Sequence, residues 1–310
     1  MKEIIKCEIC RNSDWKLIET FKYSKNQIRS SRFDYLKFIL KYLNLINRLF
    51  LTAKPRSYEV STFNRNEYQL SRIKVLFNVW FRNSEQVVIK SQYCCNCGFA
   101  LFIPRPSKKD IEAKYKYLIQ KNIPNKKVND IKNENIKITK LDFERSRRIF
   151  YKCIPFCNKK YLEVLDYGGG KGSNLLNFLK NGNKCYLVDF NKENLKGIKN
   201  IGSRISDIDN NKKFDLIICS HVLEHISDLK NIINKLKNHL KDKGIIYAEV
   251  PLEIKAGISL EYDPVTHINF FTSNSLANLF LKNGFKILDS NDEVLPYSFS
   301  FLHASWIIVQ

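Results

Sequence analysis

The stretch "LDYGGGKG", Leu165 to Gly172, packs four glycines into eight residues directly after an apolar run. Glycines at the end of a strand let the backbone turn sharply and let a ligand touch it, and the N-terminus of a following helix offers free amides. Asp166 ends the strand just ahead of Gly168, Gly169, Gly170 and Gly172. A carboxylate that close repels a pyrophosphate and suits a cation or an amine. A dinucleotide fingerprint would also need a third glycine where Ser173 stands. Asp189 follows a second strand about twenty residues on, where a carboxylate accepts hydrogen bonds from ribose hydroxyls. The combination fits a ligand with a ribose and a positively charged group, which describes S-adenosylmethionine.

Two other groups of residues have chemical spacing. Cys7 and Cys10 in "CEIC" and Cys94 and Cys97 in "CCNCG" are Cys-x-x-Cys pairs, able to place four thiolates around Zn2+. Cys95 is an alternative ligand, and two unrelated cysteine pairs are the plainer reading. Cys153, Cys157, Cys185 and Cys219 sit in apolar contexts and are expected in the core. His221, Glu224 and His225 follow the strand "FDLIICS", and His267 lies in a later loop. A hydroxyl is a poor nucleophile at neutral pH, so His225 and His267 are candidate bases, whereas His221 is expected to be structural. Glu249, in "AEVPLE", either orients a histidine or caps a strand end. Tyr115 and Tyr117 either stack on a substrate ring or pack.

The elements needed to position these groups follow from pattern. Strands are expected at Tyr161–Tyr167, Lys184–Val188, near Arg204, at Phe214–Ser220 and at Gly244–Val250; helices are expected at Ser173–Lys180, around Lys192–Lys199, at Asp228–Leu240 and at Ser273–Lys282. Such alternation predicts an α/β fold, a doubly wound Rossmann-like sheet that is mostly parallel. "FKILDS" and "SFSFLHASWIIV" predict an antiparallel pair closing it. The expected organisation is a smaller zinc-ribbon-like module with a helical insertion over residues 1–119, a linker or lid over 120–140 and the α/β domain over 141–310. The insertion, "FDYLKFILKYLNLINRLFL" (Phe33 to Leu51), reads as an apolar helix with a basic edge. It either packs on the larger domain or makes a peripheral membrane contact; its basic residues exclude a span.

With 52 basic and 31 acidic residues the 310-residue chain carries a formal +21. That favours an anionic partner, although a solvated basic surface accounts for it as well. The opening "MKEIIKCEIC" lacks the apolar segment and cleavage site of a secreted protein, so the expected location is cytoplasmic, and the nine cysteines are not expected to pair as disulfides.

"VLDYGGGKG", "YLVDFN" and "FDLIICSHVLEHISDL" resemble the successive motifs of class I S-adenosylmethionine-dependent methyltransferases, from about Lys159 onward. The resemblance implies that the glycine loop and Ser220 line the donor site, that Asp189 holds the ribose and that Asp207 meets the adenine amino group, with Asp209 as a rival. The cysteine pairs, "CGFALFIPRPSKKDIEAKY" and "DPVTHINFFTSNSL" are similar to bacterial methyltransferases with an N-terminal zinc module, which act on nucleotide-sugars and glycans. Sugar C-methyltransferases of that group use histidines matching His225 and His267. Where they carry a Tyr and a Glu before the second histidine, this chain has Pro264 and Thr266, which directs the expectation to a hydroxyl acceptor. The expected substrate is an anionic sugar, nucleotide-sugar or glycan intermediate, soluble or lipid-linked. C-methylation, an RNA-directed enzyme and a non-catalytic scaffold are the alternatives. Nucleic acid is not the expected partner, because "SHVL" after the fourth strand lacks the Pro-Pro-aromatic run of amino-methylating enzymes.

Overall fold

A computed structural model describes residues 6–25, 56–59, 73–122, 138–191, 193–254, 265–297 and 300–310. The helix expected at Phe33–Leu51, most of the 120–140 linker and Pro264 lie outside them. The chain forms two compact units. The first takes the residues up to Lys126 together with His225–Ser227 and Glu253–Thr272; the second takes Lys127–Glu224, Asp228–Leu252 and Ser273–Gln310. The division is therefore not one cut in the sequence: two later segments, each carrying one of the candidate bases, group with the N-terminal residues.

The first unit is built on strands β1 (Trp15–Ser24), β2 (Arg56–Glu59), β3 (Gln86–Cys94), β4 (Ala100–Ile103) and the short β10 (Asn269–Phe270), in the order β10-β4-β3-β1-β2. Alternate residues point to one side, as the period of a strand requires. Phe21 and Tyr23, Val87 and Ile89, and Ala100 and Phe102 share an apolar cluster with Leu76, Val265 and Phe270. Helix α1 (Lys108–Asn122) starts at Ser107, whose hydroxyl and amide exchange hydrogen bonds with Asp110 in a capping box.

The second unit contains β5 (Glu163–Tyr167), β6 (Lys184–Val188), β7 (Ile198–Gly202), β8 (Phe214–Ser220), β9 (Leu240–Pro251), β11 (Ile287–Tyr297) and β12 (Ser300–Val309) in the order β11-β12-β9-β8-β5-β6-β7. The five strands from β5 to β9 are parallel. β12 runs antiparallel between β9 and β11. Its helices are α2 (Lys140–Cys153), α3 (Leu176–Lys180), α4 (Leu229–Asn238) and α5 (Ser273–Leu281). One face of the sheet packs Val164, Leu187, Ile218, Tyr247 and Ile308 against Ile149, Cys153 and Phe178 from α2 and α3. The alternate residues Leu165, Ile217, Ile246 and Ile307 are equally buried, so both faces are covered. Cys153, Cys185 and Cys219 lie in this core, while Cys157 is half-buried and its thiol donates to the Cys153 carbonyl.

The connection after β6 differs from the expectation. No helix spans 193–199 among the described residues, and the third strand is Ile198–Gly202 rather than one near Arg204. Gly197 sits at φ +90, and the Asn194 amide donates to the carbonyls of Leu195 and Ile198, which stabilises a loop in place of a helical turn. The helix after the glycine turn is also interrupted, with one 3-10 turn at Ser173–Leu175 before α3. The fifth strand is longer than expected, starting at Leu240 directly after α4.

Candidate donor site and its partners

The order of the parallel strands reverses at β5, which has β6 on one side and β8 on the other. Ligands of doubly wound sheets bind beyond the carboxyl ends of the strands at such a point. The glycine loop occupies it. Gly168, Gly170 and Gly172 have φ of +70, +61 and +84, conformations that side chains rarely adopt. The amide of Gly168 donates to the Val188 carbonyl, fixing the start of the loop to the end of β6. Asp189 extends this link: its Oδ2 accepts from the Gly170 amide at 2.8 Å and its Oδ1 from the Asn191 amide at 2.7 Å. A Cβ at Gly170 would meet nothing within 4 Å, so this side of the loop is open.

Asp166 lies underneath, fully buried. Its Oδ1 accepts from the Asn174 amide at 3.3 Å, whereas Oδ2 is buried with no hydrogen-bond partner. Burial pushes its carboxyl up to about 7, against the Asn174 bond and the charge of Arg145. An orphaned carboxylate oxygen beneath a side-chain-free loop is a counter-charge in want of a cation, which is the feature the donor's ammonium group would satisfy.

Helix α2 supplies residues that its sequence did not single out. Arg145 donates to Ser220 Oγ at 2.8 Å and approaches Glu249 Oε1 at 3.4 Å; Arg148 pairs with Glu249 Oε2 at 2.6 Å. Tyr247 and Ser220 also donate to Glu249. Burial works against its charge, but the bond to His221 and the charges of Arg148 and Arg145 hold the Glu249 carboxyl well below the usual range. Ser220, expected at the donor, is thus also part of the Glu249 network. The sequence signal for this role of α2 is the spacing of Arg145 and Arg148 in "ERSRR", three residues apart and so on one helical face.

His221 is more than a packing residue. It adopts φ +57, with Nε2 3.3 Å from Glu249 Oε1 and Nδ1 3.4 Å from Glu224 Oε1. Burial opposes a charge on the ring, and the two carboxylates outweigh it, raising its pKa above the ordinary value. Carboxylates at both nitrogens favour the protonated form of this ring, which suits an ion pair better than a proton acceptor. Asp207 is exposed, and its Oδ2 accepts from the amides of Ser203 and Arg204, capping the turn after β7.

In the first unit, His225 and His267 come together with ring centroids 4.9 Å apart. His225 Nδ1 is 2.7 Å from the Thr266 carbonyl, and His267 Nδ1 is 2.8 Å from Glu253 Oε1. Glu253 stands four residues beyond Glu249 in "EVPLE", and no local pattern in the sequence marks it. A carboxylate on one ring nitrogen fixes the orientation of the His267 ring, a geometry that an oriented base requires.

The cysteines converge in the same unit. The Sγ atoms of Cys7, Cys10, Cys94 and Cys97 all lie within 4.8 Å of one another, with Cys7 to Cys97 at 3.6 Å and Cys10 to Cys94 at 3.5 Å. A ZnS4 tetrahedron with bonds of about 2.3 Å has edges of about 3.8 Å, so the donor set and its dimensions fit Zn2+. Both pairs sit on the same turn: the Arg11 amide donates to the Cys7 carbonyl and the Gly98 amide to that of Cys94, with φ of +67 and +80 at the donors. The exposed Cys95 stands apart.

The strand order β7-β6-β5-β8-β9 with an inserted antiparallel β12, and the glycine loop at its reversal, define a class I S-adenosylmethionine-dependent methyltransferase domain. The pattern of the methyltransferase-domain family matches residues 112–290, more than half of the chain, and the chain belongs to that family. It is similar to the ubiquinone biosynthesis O-methyltransferase of Rickettsia bellii (strain OSU 85-389), 28% identical over 95 residues, which are 27% of this chain and 40% of that protein. It is also similar to the uncharacterized protein MJ0638 of Methanocaldococcus jannaschii, 32% identical over 141 residues, 44% of this chain and 60% of that one. The match with the R. bellii enzyme thus spans well under half of that protein's length. Among solved structures, the glycopeptide N-methyltransferase MtfA aligns with a TM-score of 0.41 and 12% identity, covering 55% of this chain and 90% of that one. Magnesium protoporphyrin IX methyltransferase from Synechocystis PCC 6803 aligns with a TM-score of 0.42 and 15% identity, over 57% and 88% of the two chains. Among the described residues no helix is long and apolar enough to cross a membrane.

Proposed function

We propose that the protein transfers a methyl group from S-adenosylmethionine to a hydroxyl of a sugar, nucleotide-sugar or glycan intermediate. The observation that carries the donor is the buried, unpaired Oδ2 of Asp166 beneath the open glycine loop. In this reading Asp166 takes the donor's ammonium group, Arg145 its carboxylate, and Asp189 exchanges its bond to Gly170 for the ribose hydroxyls. Bound there, S-adenosylmethionine supplies an electrophilic methyl group on a sulfonium. A hydroxyl taking that methyl group would displace the neutral thioether and would have its proton left for the protein to remove. His267 accepts that proton at Nε2, while Glu253 holds Nδ1 and stabilises the resulting imidazolium. His225 contacts the acceptor. The hydroxyl acceptor is supported by Thr266 and Pro264 standing where a sugar C-methyltransferase has a Tyr and a Glu, and an anionic sugar by the formal +21. Cys7, Cys10, Cys94 and Cys97 hold a structural Zn2+.

The test is incubation with methyl-labelled S-adenosylmethionine and a host nucleotide-sugar and glycan extract, followed by mass spectrometry. A labelled sugar O-methyl ether is expected. Label on carbon, on RNA or on nothing, in protein that binds the donor by calorimetry, overturns the acceptor assignment; no donor binding overturns the whole reading.

A further inference from the structure

Two cations of the first unit are almost wholly buried, Arg105 at 5% exposure and Lys114 at 1%. Charges so far from water are costly, and apolar residues of similar size would commonly stabilise the fold as well or better. Their partners show what the charges are used for. Lys114 Nζ donates to the carbonyls of Val265 at 2.9 Å and Thr266 at 3.4 Å. Arg105 donates to the Ile268 carbonyl at 3.1 Å and to those of Ile226 and Ser227 at 3.4 Å, while Glu8 balances its charge at 2.9 Å. These carbonyls lie within two residues of His267 on both sides and within two residues after His225.

We infer that Arg105 and Lys114 are positioning residues that fix the His225–His267 pair and the nitrogen each ring presents. The inference deepens the role given to the pair under the proposed function and rests on it for the catalytic consequence alone. The chemistry turns on the Thr266 carbonyl, which receives both Lys114 Nζ and His225 Nδ1. A carbonyl only accepts, so Nδ1 must carry a proton, and in the neutral ring the lone pair is then on Nε2. Lys114 holds that carbonyl in place. For His267 the Glu253 oxygen is the acceptor that faces Nδ1, and Arg105 secures the chain on its far side through Ile268. Asn269 adds an amide bond to the Ile226 carbonyl at 2.8 Å, which ties the two histidine segments directly to each other.

The test is a long-range proton–nitrogen NMR spectrum of the full chain with labelled imidazoles, in which five histidines give few enough signals to assign through single His→Gln variants. Both His225 and His267 are expected as the Nδ1–H tautomer in the wild type. Lys114→Met is expected to populate the Nε2–H form of His225 and Lys114→Arg to retain Nδ1–H. If the pair serves methyl transfer, kcat falls by about tenfold or more in Lys114→Met and in Arg105→Gln, with KM for the donor unchanged. A wild-type spectrum with Nε2–H on either ring overturns the inference even if no variant folds, as does a folded Lys114→Met with an unaltered tautomer. The spectrum needs no turnover, so a failure of the proposed reaction remains distinguishable from a failure of this assignment.

Discussion

A Cβ built on Gly169 would stand 2.0 Å from Asp166 Oδ2. The loop is therefore pressed onto the buried carboxylate, and no side chain larger than hydrogen fits without displacing one of them. Gly169→Ala is expected to abolish donor binding measured by calorimetry while the melting temperature falls modestly, since the loop can shift outward. Gly172→Ala is expected to cost more stability, because it combines φ +84 with Ile198 Cδ1 at 2.5 Å. Donor affinity within a factor of about two of wild type in Gly169→Ala would refute the site.

Donor binding should depend on pH through Asp166. Its carboxyl ordinarily titrates at 3.8 and is raised by burial to about 7, so between these values the folded protein binds a proton that the unfolded chain has lost. The residue's contribution to stability therefore falls as pH rises across that window. A bound cation requires the ionised form, so affinity should climb with pH, by up to about tenfold per unit, and level off above about 7. Asp166→Asn is expected to raise the melting temperature of the free protein at about pH 8 and to weaken the donor most above about pH 7, the difference from wild type shrinking in acid. A donor Kd that is flat between about pH 5.5 and 8 contradicts this.

Glu163 gives the opposite dependence at the other end of the sheet. It pairs with Lys212 and with Lys241 at 2.7 Å, and Lys241 continues to Asp215 at 2.8 Å. Burial works against its charge, yet the two ammonium groups hold its carboxyl down to about 2 from an ordinary 4.5. That stabilisation is complete above 4.5 and is lost as pH falls towards 2. Glu163→Gln is expected to cost about 1 kcal/mol at neutral pH, with the difference from wild type vanishing in acid. Equal melting temperatures at neutral pH would show that the network contributes nothing.

The purified chain is expected to contain one zinc by elemental analysis, and Cys97→Ser to lower that content sharply. Cys97 also anchors its neighbourhood: its carbonyl accepts from the Thr272 hydroxyl at 3.2 Å, and the next aromatic, Phe99, packs on Phe271 at 5.3 Å. Chelation should therefore lower the melting temperature while leaving donor titration intact, because the donor residues belong to the second unit. Freely titrating thiols in metal-replete protein would eliminate the site.

His267→Ala is expected to reduce kcat by about 10² to 10⁴ with little change in donor affinity, and Glu253→Gln by a smaller factor. Unchanged turnover in His267→Ala would transfer the base to another residue.

What the amino-acid order determined by itself was local. Alternating apolar patterns marked the strands, Asp166 and the following glycines marked the loop, and each Cys-x-x-Cys marked a turn, because φ sign, strand period and a two-residue gap are settled by near neighbours. Residues 193–197 show the limit even there, since Asn194 side-chain bonds and Gly197 replaced a helix that the pattern had suggested. Only the tertiary structure decided that β12 enters between β9 and β11, that Arg145 reaches Glu249 across 104 positions, and that Lys114 and Arg105 hold the histidine segments from more than 100 residues away. Strand neighbours and buried ion partners are chosen by packing the whole chain. The energy of such a contact depends on what surrounds it in space, and a segment carries no local sign of which distant partner will provide that.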